Sequence, residues 1–186
     1  WVSHYLGIQG RGLITEIDLQ RESIRRTIPL VEDPDVSGGR GGIFTAVASL
    51  DIHPRFPRAL VAGMHANHKR GPTQSGRPLS HKTTVQAAVA ILDLDNGSEL
   101  PDARIVSSFS GQAVAVPTAV AFLPDGKHFI DIYFASHDLK VIRYNERGLV
   151  AERALLELPH GPDGIAITAD GQHGFINARW DRQIAH

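Results

Sequence analysis

The sequence contains ten histidines, the side chains most suited here to binding metals or ligands, and several of them occupy similar local contexts. His4, His65 and His137 each follow a short segment, in Val-Ser-His, Gly-Met-His and Ala-Ser-His, and Arg179 follows Asn-Ala in a comparable way. Imidazole binds zinc, copper, iron and nickel, and its charge changes near neutral pH. The pattern predicts a histidine-lined surface that binds a metal ion, a haem iron or an anionic ligand. The alternative is that each position makes the same structural hydrogen bond in every repeat.

A second group of histidines lies in a polar, basic segment. His65 and His68 are three residues apart, and His81 can fold back on them. Zinc or copper needs three or four such ligands. Lys69 and Arg70 make the segment locally basic, which suits an acidic partner or a haem propionate. A solvated basic loop is the alternative interpretation.

Composition and missing residue types exclude several chemistries. The 186 residues include 19 Lys plus Arg and 20 Asp plus Glu, and the formal net charge of -1 gives no general attraction to nucleic acid or anionic membranes. The sequence has no cysteine, which excludes disulfides, cysteine-ligated zinc, iron–sulfur clusters and covalent c-type haem attachment within this segment. It also has no apolar run of the roughly 18 residues that a membrane span needs. Ser136, His137 and Asp138 are consecutive, so their side chains alternate in a strand and cannot form a catalytic triad.

The elements that must hold these residues repeat along the chain. Residues 117–126 and 162–171 share Pro, Ala, Asp and Gly at a constant spacing of 45 residues. A third copy begins at Thr45, where Thr-Ala-Val-Ala occurs 73 residues before its counterpart. An insertion around Asn67 to Thr84 accounts for the longer spacing. Repeats of about 45 residues, made of short apolar strands and Pro/Asp/Gly turns, are typical of four-stranded propeller blades.

These repeats predict an all-β fold, a β-propeller of four-stranded antiparallel blades. We expect about three and a half blades in one propeller segment, with small apolar residues such as Ala119, Val120 and Ala121 on the innermost strands. Because closed propellers need four to eight blades, the remainder of the propeller or a partner chain is expected to complete the ring. Within residues 1–186, the expected units are a partial blade at 1–36, a blade with the insertion at 43–110, a blade at 117–159 and a partial blade at 162–186.

Two stretches carry a resemblance to a known family. Ala121–Lys127 and Gly171–Asn177 resemble the repeat of YVTN-type seven-bladed β-propellers, in which a Pro-Asp-Gly turn precedes a strand ending near asparagine. The insertion followed by Thr84–Ala87 and Ile91–Leu94 resembles the bacterial secreted branch, whose propellers are joined to, or work beside, c-type cytochrome or di-haem peroxidase-like domains. The resemblance implies a seven-bladed ring, a periplasmic or secreted location and a cytochrome-type redox partner. No Cys-x-x-Cys-His motif occurs in this segment, so any covalent haem is implied to lie outside it.

Propeller topology sorts the loops into two faces. His53, His128 and His173 are expected at turns between first and second strands, on one face. The exits of the second strands, the insertion and the connections between blades are expected on the other face, around the mouth of the channel. The candidate anion-binding residues of this mouth face are His160, Arg179, Lys69 and Arg70.

Two functions from different classes fit this sequence. The first is an extracytoplasmic binding and docking module that presents its histidine-rich loop face to a cytochrome-type redox partner or to a ligand. The second is a metal- or haem-dependent oxidoreductase, or a lactonase-like hydrolase, with its site at the channel mouth. A stoichiometric metal or a haem absorption band in the purified protein would favour the second function.

Overall fold

The computed structural model describes residues 1–7, 10–34, 41–80, 83–106, 114–145 and 150–186. These residues form fifteen strands in four antiparallel sheets, with a 3₁₀ turn at Pro101–Ala103 and no α-helix in the ranges just given. In the same ranges, no helix has the length and apolar character needed to cross a membrane. The all-β organisation expected from the sequence is confirmed.

The four sheets follow one another along the chain. Sheet 1 contains β1 (Val2–His4), β2 (Leu13–Asp18) and β3 (Ser23–Pro29) in that spatial order. Sheet 2 contains β4 (Ile43–Ile52), β5 (Arg58–Ala66), β6 (Val85–Asp93) and β7 (Ser98–Glu99), with β8 (Ile105–Val106) also paired to β6. Sheet 3 contains β9 (Pro117–Phe122), β10 (His128–Tyr133), β11 (Asp138–Tyr144) and β12 (Val150–Glu157). Sheet 4 contains β13 (Pro162–Ile167), β14 (Gly174–Ala178) and β15 (Gln183–Ala185).

Successive sheets pack face to face through apolar side chains, because strand residues alternate between the two faces of a sheet. Burying one large aliphatic or aromatic side chain contributes about 1.5–3 kcal/mol. The core between sheets 1 and 2 includes Ile14, Ile28, Phe44 and Val61. The core between sheets 2 and 3 includes Leu60, Ile91, Phe122, Phe129 and Tyr144. The core between sheets 3 and 4 includes Ala119, Ile132, Leu139 and Ile176. The small residues expected on the innermost strands lie on β4, β9 and β13.

Equivalent turns join the first two strands of sheets 2, 3 and 4. In these turns the backbone N–H groups of His53, Leu123 and Thr168 donate to carbonyl groups five residues later in the chain. The copies in sheets 2 and 3 are therefore 70 residues apart at this turn, whereas the Thr-Ala-Val-Ala match indicated 73 residues. The difference arises in β4, where a bulge between Thr45 and Ser49 interrupts the pairing with β5 and Ala46 adopts φ 48°.

The insertion expected around Asn67 to Thr84 connects β5 to β6. The backbone N–H of Asn67 donates to the carbonyl of Thr84 at 2.8 Å and closes the base of this loop. The loop therefore leaves and rejoins sheet 2 without disturbing the continuous β5–β6 pairing from Arg58 to Ala66.

Candidate functional site at the mouth face

Two equivalent four-residue turns build one end of sheets 3 and 4. His137 (φ 58°), at the end of the turn after β10, and Arg182 (φ 53°), at the end of the turn after β14, hold the same left-handed position. The expected equivalence between His137 and Arg179 is therefore wrong. Arg179 matches Phe134, because the spacing of 45 residues continues through the second strands into these turns. We call this end of the two sheets the mouth face.

Two imidazoles meet at the mouth face. The ring centroids of His137 and His160 are 4.5 Å apart in an edge-on arrangement. The backbone N–H of Gly161 donates to His137 Nδ1 at 3.2 Å, so the proton of the neutral ring resides on Nε2. His160 Nδ1 lies 3.0 Å from Asp181 Oδ2 and donates to it, which leaves Nε2 of the neutral ring as an acceptor. The backbone N–H and the ring of His160 both lower the pKa of the Asp181 carboxyl, so this carboxylate is ionised at neutral pH.

Aromatic rings extend the site from the histidines to a cation. The Trp180 ring lies 5.7 Å from His137 and 4.6 Å from Phe134, measured between ring centroids. The guanidinium carbon of Arg179 lies 5.3 Å from the centre of the Phe134 ring, a cation–π distance. Trp180 is 57% exposed, and the Arg179 side chain is 63% exposed. The mouth face thus presents an aromatic surface with a guanidinium at one end.

An open cavity of about 590 Å³ lies beside this surface. Asp163 is fixed at its wall, because Asn177 Nδ2 donates to Asp163 Oδ1 at 2.6 Å and Arg179 Nε lies 3.2 Å from Asp163 Oδ2. The lining residues are Ser3, Tyr5, Val47, Ala48, Val116, Thr118, Phe134, Asp163 and Arg179. The inner strands and the second-strand exits of neighbouring sheets therefore converge on one cavity.

Sequence analysis placed Arg179, His137 and His160 on this face but missed Asp163, Asp181, Phe134 and Trp180. Aligning the second-strand exits at the constant spacing of 45 residues would have paired Phe134 with Arg179 and drawn attention to both. The contribution of Asp163 and Asp181 depends on contacts between segments that are distant in the chain, for which the sequence gives no signal.

The other two strand-exit histidines are not brought to this cavity. His4 Nε2 lies 2.9 Å from the hydroxyl of Thr15 on the neighbouring strand. His65 is 1% exposed, because β5 continues to Ala66 and turns this side chain into the interface with sheet 1. Burial, reinforced by the positive charge of Arg104, lowers the His65 pKa to about 4. The exposed position expected for His65 differs from the structure, and the ring is neutral at physiological pH.

Three basic residues near the start of the insertion contact other residues of the protein. His68 Nε2 lies 3.9 Å from Glu32 Oε1, and Lys69 Nζ forms an ion pair with the same carboxylate. Arg70 Nε donates to the carbonyl of Pro78 within the loop at 3.1 Å. The basic character predicted for this loop is therefore partly neutralised by Glu32, and the loop is a weaker anion-binding candidate than Arg179.

The metal or haem site expected from the histidines stays a prediction. Across the described ranges, no three His, Asp or Glu side chains are placed to hold one metal ion. One candidate, His81, lies outside those ranges. The candidate ligands were His4, His65, His68, His81 and His137.

The opposite ends of the sheets contain a histidine with a structural role. His53 is 4% exposed; its Nε2 donates to the carbonyl of Gly126 in the next sheet at 2.8 Å. Its Nδ1 accepts the backbone N–H groups of Arg55 and Phe56, each at 3.0 Å. Sequence analysis placed His53 at this turn but gave no indication that it joins two sheets.

Comparison with known proteins gives matches only at the level of structure. No protein-family profile and no curated protein matches the sequence. Hydrazine synthase from Kuenenia stuttgartiensis superposes with a TM-score of 0.74 at 11% identity, over 96% of this chain and 52% of that one. A "putative 6-phosphogluconolactonase" from Bacteroides uniformis gives a TM-score of 0.58 at 14% identity, over 95% of this chain and 46% of that one. A functionally unknown protein from Desulfotomaculum acetoxidans gives 0.51 at 13% identity, over 94% and 44%.

At these identities the likeness concerns the fold alone. The chain spans about half the length of these solved structures. Four antiparallel sheets that pack face to face, together with these neighbours, confirm the predicted β-propeller fold.

Proposed function

We propose that this chain is a β-propeller binding module that docks an acidic partner through its mouth face. The observation that carries the proposal is the exposed group of Arg179, Trp180 and His160 beside an open cavity. The proposed partner is a cytochrome-type redox protein, and the proposed location is periplasmic or secreted. These two parts rest on the sequence resemblance to YVTN-type propellers of the secreted branch.

The composition of the mouth face suits a docking surface. Tryptophan and arginine are the residues most enriched among those that dominate binding free energy at protein interfaces. Trp180 offers a large rigid ring, and the Phe134 ring packs against both Trp180 and the Arg179 guanidinium. The Arg179 guanidinium can pair with a carboxylate of the partner, and salt would weaken that pairing.

The test is a binding titration with an acidic c-type cytochrome at low and high ionic strength. We expect Trp180→Ala and Arg179→Gln each to weaken binding about tenfold or more, and salt to weaken binding further. The matched control is His128→Ala, because His128 also pairs with a carboxylate, Asp125, at 2.7 Å but lies at the opposite ends of the sheets. Equal losses in the control and the mouth variants would contradict docking through this face.

A second candidate function is a hydrolase, which the His160–Asp181 pair favours. A carboxylate that holds Nδ1 leaves Nε2 of a neutral imidazole available to accept a proton from water. The His160 side chain is 63% exposed and so is accessible to substrate. Hydrolysis of simple lactones, followed by proton release, would be lost in His160→Ala and Asp181→Asn and retained in His128→Ala. No hydrolysis by the unaltered chain would leave only the binding module.

The metal- or haem-dependent form of this second function needs a separate measurement. Elemental analysis and a visible absorption spectrum of the purified chain would detect a stoichiometric metal or haem. His4, His68 and His137 would then be the first residues to replace, since His65 is buried and neutral.

A further inference from the structure

Arg179 is held in place by only part of its hydrogen-bonding capacity. Its Nε faces Asp163 Oδ2 at 3.2 Å, and its guanidinium lies over the Phe134 ring. Within the described residues, Nη1 and Nη2 make no hydrogen bond with a protein group. A guanidinium that is oriented at one nitrogen keeps two parallel N–H donors for a carboxylate. Arg179 is therefore positioned as an anion receptor at the wall of the mouth cavity.

The Asp163 carboxylate limits which anion can bind. It lies beside Arg179 and already compensates one positive charge. Both the attraction to Arg179 and the repulsion from Asp163 are about twice as large for a dianion as for a monoanion, so total charge does not decide which anion binds. The pair instead favours a ligand that offers a carboxylate to Arg179 and a hydroxyl donor to Asp163.

The rest of the cavity offers hydroxyl groups and apolar walls. The lining includes the hydroxyl residues Ser3, Tyr5 and Thr118 and the apolar residues Val116 and Phe134. The Thr118 hydroxyl donates to the carbonyl of Pro162 at 2.8 Å and keeps only its acceptor capacity for a ligand. The Asp163 carboxylate can accept hydrogen bonds from ligand hydroxyls while Asn177 and Arg179 fix its orientation. The volume of about 590 Å³ lies within the range of small-molecule sites. A ligand that fits both features carries several hydroxyls, a compact apolar ring face and one carboxylate.

We propose that the mouth cavity binds a small hydroxylated carboxylic acid of the size of a sugar acid. Arg179 binds the carboxylate, Asp163 accepts hydroxyl groups and Phe134 contacts the ring. The proposal deepens the binding function given above and rests on the mouth face being the binding surface. It adds the chemical class of the small ligand that this surface selects.

The test is calorimetric titration of the 186-residue chain with D-glucuronate, D-glucose and inorganic phosphate. We expect D-glucuronate to bind at least about tenfold more tightly than either of the others, because only it satisfies Arg179 and Asp163 together. Arg179→Gln should weaken D-glucuronate binding about tenfold and change D-glucose binding much less, because Asn177 still holds Asp163 in the variant. Asp163→Asn should weaken binding of both sugars.

The matched control is Arg25→Gln. Arg25 also pairs with a carboxylate, Glu16, at 2.9 Å, and its side chain is 67% exposed, close to the 63% of Arg179. The control should bind D-glucuronate like the unaltered chain, and thermal unfolding should show that both variants remain folded. Equal binding of D-glucose and D-glucuronate, tighter binding of phosphate, no D-glucuronate binding at millimolar concentration, or the same loss in both arginine variants would overturn the proposal.

The same variants separate this inference from the proposed function. If D-glucuronate fails to bind while an acidic cytochrome still binds and loses affinity in Arg179→Gln, the sugar-acid site is wrong and the docking module stands. If neither binds, both proposals are wrong. If D-glucuronate binds and the cytochrome does not, the mouth face is a small-molecule site only.

Discussion

The two ends of the sheets use histidine in opposite ways. We call the end of the sheets that holds the turns between first and second strands the turn end. In it, His53 is almost fully buried and both of its ring nitrogens have partners, in the next sheet and in its own turn. At the mouth end, the His160 side chain is 63% exposed, and its protein partner, the Asp181 carboxylate, is bound through Nδ1. A buried ring with every nitrogen satisfied can only support structure, whereas an exposed ring held at one nitrogen can also meet a ligand.

The position of a histidine within the repeat therefore does not by itself determine whether it has a structural or a binding role. His53 is equivalent to Leu123 and Thr168 in the neighbouring turns, so the turn itself does not require histidine. The role of His53 comes from Gly126 in the next sheet, whose carbonyl it reaches. Contacts between sheets, and not the repeat, decide which histidines are structural.

The largest effect is expected for His53→Ala. The substitution removes three hydrogen bonds and leaves a cavity among Phe56, Phe122 and Tyr144, whose rings surround the imidazole at 4.7–5.6 Å. We expect the free energy of unfolding to fall by about 3 kcal/mol. Urea denaturation measures it, and a loss below about 1 kcal/mol would mean that the turn end is as tolerant as the mouth end.

His65, a second buried histidine, should make the stability of the protein depend on pH. Burial lowers its pKa to about 4 from the ordinary value of 6.5. Between these two pH values the unfolded chain binds a proton that the folded chain does not, so the stabilisation present above pH 6.5 is lost as the pH falls toward 4. We expect a loss on the order of 2–3 kcal/mol from this residue.

His65→Gln is the variant that isolates this effect. In urea denaturation at a series of pH values, the free energy of unfolding of this variant should fall less steeply between pH 6.5 and pH 4 than that of the unaltered chain. If the free energy of unfolding falls equally steeply with pH in the unaltered chain and in His65→Gln, the buried, neutral state of His65 is contradicted.

Asp131, in the interface between sheets 2 and 3, should make stability depend on pH in the direction opposite to His65. It is fully buried, and burial raises its pKa to about 7 from 3.8, against the hydrogen bond from Tyr133 and the charge of Lys140. The folded chain holds a proton that the unfolded chain releases, so the stabilisation present below pH 4 is lost as the pH rises to about 7.

Asp131→Asn should remove this loss, so that its stability rises more steeply between pH 4.5 and 6.5 than that of the unaltered chain. The expected difference in slope is about 1 kcal/mol per pH unit. The comparison uses slopes because the substitution also removes a carboxyl group whose charge interacts with Lys140. Identical slopes would mean that Asp131 is ionised in the folded protein throughout this range.

Much of the fold could be predicted from the sequence. Alternating apolar residues in segments such as Val85–Asp93, with Pro-Asp-Gly turns at constant spacing, identify strands because their pattern is local. The bulge at Thr45–Ser49 could not be predicted in the same way. It changes the register of β4 without changing the residue pattern, and this led to the spacing of 73 in place of 70.

The candidate site was less accessible to sequence reasoning. Arg179 and His160 could be placed on the mouth face by topology. The burial of His65 could not, because it depends on how far β5 extends and on Arg104, which is distant in the chain. The Asp163–Arg179 pair likewise joins β13 to the turn after β14, and nothing in the local sequence indicates it.

The smallest effects are expected for the two exposed imidazole–carboxylate pairs, and they complete the comparison. His128 and Asp125 pair at 2.7 Å at the turn end, and His160 and Asp181 pair at 3.0 Å at the mouth end. Exposed ion pairs contribute about 0–1 kcal/mol because solvent and salt screen them.

His128→Ala and His160→Ala should therefore each change the free energy of unfolding by less than about 1 kcal/mol, while only His160→Ala weakens partner binding. A larger loss of stability in His160→Ala than in His128→Ala would assign His160 a structural role, and the distinction between the two ends of the sheets would then fail.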